Sequence, residues 1–140
     1  METTKQAITI TSTIQQPAAK VWELWNEPEH ITQWCAASDD WHAPKASSDL
    51  RAGGAFSTTM AAKDGSFSFD FGGVFDVVEP HQRIEYTLGD GRKVKIDFKE
   101  ENGQTQVVET FDPEETNPED MQRAGWQAIL DNFKRYAESK

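Results

Sequence analysis

The first long alternation in the chain is Ala7-Ile-Thr-Ile-Thr-Ser-Thr-Ile14, with Ile8, Ile10 and Ile14 on one side and threonines on the other. A period of two in β-branched residues predicts a strand with one face buried. Pro17 then opens a short helix carrying Val21, Trp22, Leu24 and Trp25. Asn26-Glu27-Pro28 breaks it, and a second short helix carries Ile31, Trp34 and Cys35. Neither helix is long enough to be stable alone, so both must pack on the rest of the chain.

Residues 36–54 are the least regular stretch, with a short extended piece around Trp41 to Ala46 and a turn at Asp49-Leu-Arg-Ala-Gly-Gly54. Period two then returns and persists. Ala55–Ala61 puts Phe56 and Met60 in phase, and Lys63-Asp64-Gly65 makes a hairpin turn. Phe67–Val78 places Phe67, Phe69, Phe71, Phe75 and Val77 on one face, opposite Ser68, Asp70 and Asp76. Gly72-Gly73 interrupts this run and predicts a bulge or sharp bend there. Arg83–Leu88 sets Ile84, Tyr86 and Leu88 in phase, and Arg92–Glu101 does the same for Val94, Ile96 and Phe98. Asn102-Gly103 is a hairpin signal leading into Gln104–Phe111.

In the last segment, Asn117 to Ser139, the period changes to that of a helix. Trp126, Ile129, Leu130, Phe133 and Ala137 form one apolar stripe. Asn117 is placed to cap, Pro118 suits the first helical position, and Glu119 and Asp120 suit the positive end of the macrodipole. Lys134, Arg135 and Lys140 suit the other end. Gly125 is the exception, since an interior glycine costs a helix about 1 kcal/mol relative to alanine. It implies either close packing against a strand or room left for something else. Strands joined by hairpins are antiparallel, so the pattern reads as α+β, a one-sided sheet of about six or seven strands curved round the last helix.

Composition narrows the reading. At 140 residues, without repeat or linker, the chain is expected to form a single domain over 1–140. The N-terminal residues lack a signal-peptide pattern, no run is long enough to span a membrane, and Cys35 is the only cysteine, which together suggest a reducing, cytoplasmic setting. A formal charge of −10 argues against nucleic acid or an anionic membrane as partner. Five tryptophans and eight phenylalanines imply either a bulky core or an aromatic-lined pocket.

Taken together, several segments resemble the START-like (SRPBCC) superfamily, in the branch named after the heat-shock-chaperone ATPase activator. They are Pro17-Ala-Ala-Lys-Val-Trp22, Trp34, Asp49-Leu-Arg-Ala-Gly-Gly54 and Asp64-Gly65, then Gly73-Val-Phe-Asp-Val-Val-Glu-Pro80, Arg83-Ile-Glu-Tyr-Thr87, Thr105 to Phe111, and Gly125-Trp-Gln-Ala-Ile-Leu-Asp-Asn-Phe133. The resemblance implies a helix-grip fold, a curved antiparallel sheet gripping a long C-terminal helix over a cavity. Relatives often carry a second large aromatic after the tryptophan where this chain has Trp34-Cys35, which implies a differently shaped pocket mouth or a repacked contact. The superfamily hosts carriers, cyclases, receptors and co-chaperones, so fold alone does not decide function.

No nucleophilic motif or metal-ligand spacing is evident among His30, His42 and His81, and no cofactor is expected. His42, beside Asp39, Asp40 and Trp41, is either a solvated loop residue or a weak acid/base candidate. Glu109 shares parity with Val107 and Phe111. If Phe111 faces the helix, a carboxylate points into an apolar interior, the profile of a general acid/base or of a polar ligand anchor. The alternatives are that Val108 faces inward or that Glu109 reaches water. Tyr86 is either an interior hydrogen-bonding tip or a core ring with its hydroxyl at the rim. Trp34, Phe56, Met60, Phe69, Phe71, Phe98, Phe111, Met121 and Trp126 either fill the core or, as the resemblance implies, line a cavity with Tyr86, Glu109 and Gly125. The leading expectation is a binding protein for a small hydrophobic or aromatic molecule. Behind it stand an enzyme of the cyclase, dehydratase or hydrolase type acting on polyketide-like substrates, and a chaperone-ATPase-stimulating domain, although no residue pattern marks a protein-partner surface.

Overall fold

The computed structural model describes residues 7–36, 38–115 and 117–140; the N-terminal segment read above for a signal peptide lies outside them, as does Ala37 in the irregular stretch. The elements follow in the order β1 (Ile8–Ile14), α1 (Ala18–Asn26), α2 (Pro28–Trp34), β2 (Trp41–Ser48), β3 (Ala55–Ala62), β4 (Ser68–Glu79), β5 (Arg83–Leu88), β6 (Lys93–Glu101), β7 (Gln104–Phe111) and α3 (Glu119–Glu138). All strands join one antiparallel sheet in the order β1-β7-β6-β5-β4-β3-β2. Six of the seven strands are a hairpin meander. The first is different: β1 pairs with the last strand, and α1 and α2 carry the chain from that edge of the sheet to the opposite one. The result is the α+β helix-grip architecture.

The alternation in β1, β5, β6 and β7 becomes burial. Ile8, Ile10, Ile84, Ile96, Val94, Val107 and Phe111 are each at most 3% exposed, and their intervening neighbours face outward. The C-terminal half of α3 closes on this face, with Leu130, Phe133 and Ala137 fully buried. The polar flank of α3 has a second task. Arg123 Nη1 donates to the Thr9 carbonyl at 2.9 Å, Gln127 Nε2 to that of Thr11 at 3.3 Å, and Lys134 Nζ to that of Thr13. From Arg123 to Gln127 the four-residue helical step, about 6 Å, nearly matches the two-residue step from Thr9 to Thr11, about 6.8 Å. The seven-residue step to Lys134, about 10.5 Å, is longer, and the long lysine side chain spans the difference. In this way α3 covers the open edge of the sheet.

Two local expectations change. Gly72 and Gly73 pair in regular register with β3, and Gly73 also with Leu88 of β5; the irregularity of β4 lies between Phe75 and Val77, where Asp76 is the extra residue. Beyond it Val78, not Val77, pairs with Ile84 and packs on the core. The glycines instead allow close approach: a Cβ would lie 2.4 Å from the Phe56 carbonyl oxygen at Gly72 and 2.1 Å from that of Thr87 at Gly73. The cap of α3 also differs. Pro118 is the N-cap residue and makes no side-chain cap, and Asn117 stands one position earlier. The side chain of Gln122 organises this end, accepting from the Glu114 N–H at 2.8 Å and donating to the carbonyls of Glu114 at 3.1 Å and Asn117 at 2.8 Å. Lys134, read as a complement to the helix dipole, reaches sideways to Thr13 and Glu138.

Candidate functional site: a cavity under the N-terminal half of the last helix

Burial falls along α3 from its C-terminal to its N-terminal half, from Phe133 at 0% exposed to Met121 at 60%. Under the less buried half lies a cavity of about 400 Å³. Its roof is Met121, Gly125, Trp126 and Ile129 of α3, its floor is the sheet, and α2 with the residue after it closes one side with Ile31, Trp34 and Cys35. Aromatic rings hold the walls in place. Phe56 on β3 lies 4.7 Å from Tyr86 and 4.9 Å from Phe75, and Phe71 on β4 lies 5.9 Å edge-on from Trp126. Trp126 is fixed from behind by parallel stacking on Phe111 at 3.9 Å. Packing of this kind fixes ring orientation and stabilises each pair by about 0.5–1.5 kcal/mol beyond burial.

Gly125 resolves toward space. A Cβ built there meets nothing within 4 Å, and the residue lines the cavity. No strand presses on the helix at this point, so packing against a strand does not account for the glycine.

Of the polar residues on the lining, Thr58, Tyr86 and Glu109 are buried on the sheet face. Glu109 is 6% exposed, on the inward face of β7 between Ile10 of β1 and Ile96 of β6. Thr58 and Tyr86 are similarly buried. None of the three side chains has a hydrogen-bond partner among the described residues, yet none of those residues has a sealed polar side-chain atom without a partner. Their polar ends therefore open on the cavity. Loss of water pushes the Glu109 carboxyl up to about 8, so it is mostly protonated at neutral pH. Burial, then the nearby Glu109 charge, raises the Cys35 thiol to about 12 and takes the Tyr86 phenol well above its ordinary value. Both stay neutral, and Cys35, whose Sγ lies 3.8 Å from Met60 Sδ, is a poor nucleophile.

Of the residues read as ligand-binding, Trp34, Phe56, Met60, Phe69, Phe71, Tyr86, Glu109, Met121, Gly125 and Trp126 line the cavity. Phe98 and Phe111 do not. Phe98 lies farther along β6, where Trp22 at 5.4 Å and Trp25 at 5.9 Å cover it, and Phe111 is hidden behind Trp126. His42 is exposed on β2 and stands outside the wall. His30 hydrogen-bonds the Tyr136 hydroxyl through Nδ1 at 2.6 Å, and His81 lies edge-on to Trp22. The reading missed Trp25, Ile31, Thr58, Phe75 and Gln122 as lining residues. Thr58 was findable, since it sits in phase between Phe56 and Met60; the helical residues were not, because their facing depends on how α1 and α2 dock.

A sheet curled round a long helix, with an apolar cavity between them and a few polar groups inside it, defines a helix-grip protein of the START-like class. The chain belongs to the family described as activator of Hsp90 ATPase homolog 1-like protein, whose model matches residues 15–138. It is similar to an AHSA1-like protein of Aeromonas hydrophila, at 48% identity over 94% of this chain and 93% of that one, with a TM-score of 0.86. A protein of Cytophaga hutchinsonii is 59% identical over 95% of this chain and 92% of that one, with a TM-score of 0.83. A Nitrosomonas europaea protein at 18% identity, covering 96% and 95% with a TM-score of 0.81, shares the fold. No curated protein matches the chain. Among the described residues, no helix is long and apolar enough to cross a membrane.

Proposed function

We propose that this protein binds a small hydrophobic or aromatic molecule in the cavity between the sheet and the N-terminal half of α3. The observation that carries the reading is the open space at Gly125. Protein interiors are normally close-packed, and a helix glycine facing a void costs stability twice, through helix propensity and through lost packing. An apolar, aromatic-walled space with a few polar groups is the usual form of a small-molecule site, and about 400 Å³ falls in the usual size range. An enzymatic reading has one support, the protonated Glu109, but no second group of opposite protonation role stands beside it: Tyr86 and Cys35 are both held neutral. Binding is therefore the better account.

The test is an uncharged dye whose emission rises in apolar surroundings, N-phenyl-1-naphthylamine. Saturable enhancement at one dye per chain is expected. Gly125→Leu should abolish it while raising thermal stability, because the new side chain fills the void and removes the glycine penalty of about 1 kcal/mol. Undiminished dye binding in a folded Gly125→Leu variant would place the dye elsewhere and count against the cavity.

A further inference from the structure

We propose that the cavity selects an organic ammonium ion carried on an aromatic or other bulky apolar body, with Glu109 receiving its charge; this rests on the binding role proposed above.

Glu109 is buried on the cavity face, and among the described residues its carboxyl has no hydrogen-bond partner. Among the described residues, the elements packed round it bring no cation to it. Its strand neighbours are Ile10 on β1 and Ile96 on β6. Tyr86 on β5 and Cys35 after α2 are the titratable groups that sense its charge, and both are neutral. Above it α3 presents Trp126 and Ile129. The basic residue on the lining is Arg92, whose Nε is held by Asp90 at 2.8 Å, while Glu114 adds a further acid. Among the described residues, no group pairs with this carboxyl.

The walls suit the same ligand. The rings of Trp34, Phe56, Phe71, Tyr86 and Trp126 surround the space, and a cation near aromatic faces is attracted by their quadrupoles, most strongly where water is excluded. A carbonyl ligand would need only a donor, and the hydroxyls of Thr58 and Tyr86 already supply two. What a carboxyl adds is the capacity to become an anion. A bound ammonium would hold Glu109 ionised and displace its proton to solvent. The chain's charge of −10 favours the approach of a cation.

The experiment is calorimetric titration of the full chain with 1-naphthylmethylamine and 1-naphthylmethanol, near-isosteres differing in charge. At pH 7, in two buffers of different ionisation heat, the amine should bind at least tenfold more tightly than the alcohol and release about one proton per site. Amine affinity should rise by about tenfold per pH unit from pH 5 toward 8 and then level off, because Glu109 titrates near 8. Glu109→Gln should abolish the proton release and bring amine and alcohol affinities within about threefold of each other; a cooperative urea transition shows that the variant is folded. If the alcohol binds as tightly as the amine, or the amine binds without releasing a proton, the ammonium proposal is overturned while the cavity reading stands. If neither compound binds, both readings fall.

Discussion

Replacing Phe133 with alanine is expected to destabilise the protein by about 3–5 kcal/mol, the usual range for truncating a fully buried aromatic ring. Phe133 is 0% exposed, and its ring lies 4.8 Å from that of Trp25 and 4.9 Å from that of Trp34. It is the point where α1, the end of α2 and α3 meet over the sheet. Its removal would open a hole beneath two indoles that cannot both move in. Domains of this kind have only about 5–15 kcal/mol of stability, so the loss takes a large part of it. Urea unfolding checks this: the midpoint should fall by about 2 M at unchanged slope, for a slope of about 2 kcal/mol/M. Met121→Ala on the same helix is the contrast. Met121 is 60% exposed, and surface changes usually stay within about 0.5 kcal/mol. Similar midpoints for the two variants would mean that α3 does not grip the sheet through its C-terminal half.

The second large effect is a dependence of stability on pH. In the folded protein the Glu109 carboxyl titrates at about 8, against an ordinary value of 4.5 in the unfolded chain. Below about 4.5 both states hold the proton, and Glu109 contributes no penalty. Between the two values the folded state holds a proton that the unfolded state has released, so stability falls as pH rises. The loss is about 3 kcal/mol by pH 7 and about 5 kcal/mol once pH exceeds 8. Glu109→Gln keeps the size and removes the titration. It should equal the parent near pH 4.5, exceed it by about 3 kcal/mol at pH 7, and lose the downward slope that Glu109 gives the parent. Denaturation at a series of pH values decides the matter; parallel curves for the two proteins would show that Glu109 is solvated or paired.

The strands were largely legible because each is half-buried, and a half-buried strand writes its facing into every second residue. Arg83–Leu88 and Gln104–Phe111 have the bounds read from the alternation, and the parity of Val107, Glu109 and Phe111 gave an inward carboxyl as one of the open readings, the one in which Glu109 is now found buried. The bulge of β4 was misplaced because Gly72-Gly73 is a visible signal, whereas the extra residue Asp76 depends on where β4 must rejoin β5. Gln122 was missed for a related reason. Its bonds to Glu114 and Asn117 close a loop whose path the sequence does not write down. At the site, parity gave which side of the sheet a residue faces but not how far along the strand it lies. Phe98 and Tyr86 both face inward, yet one lies beneath α1 and the other beneath the open half of α3. Phe67 shows the same limit: it shares the inward parity but is 58% exposed and off the cavity wall, and it gathers round Trp41 with Phe69, which is 45% exposed yet still lines the cavity.

That exposed aromatic cluster is the natural competitor for any apolar probe, so the most direct measurement is one of position. With 1-naphthylmethanol bound to isotope-labelled protein, intermolecular nuclear Overhauser contacts report which side chains touch the ring. Contacts to Trp126, Tyr86 and Phe71, the walls of the cavity, are the predicted result. Contacts confined to Trp41 and Phe67 would place the molecule on the outer hairpin and contradict a binding site under the helix.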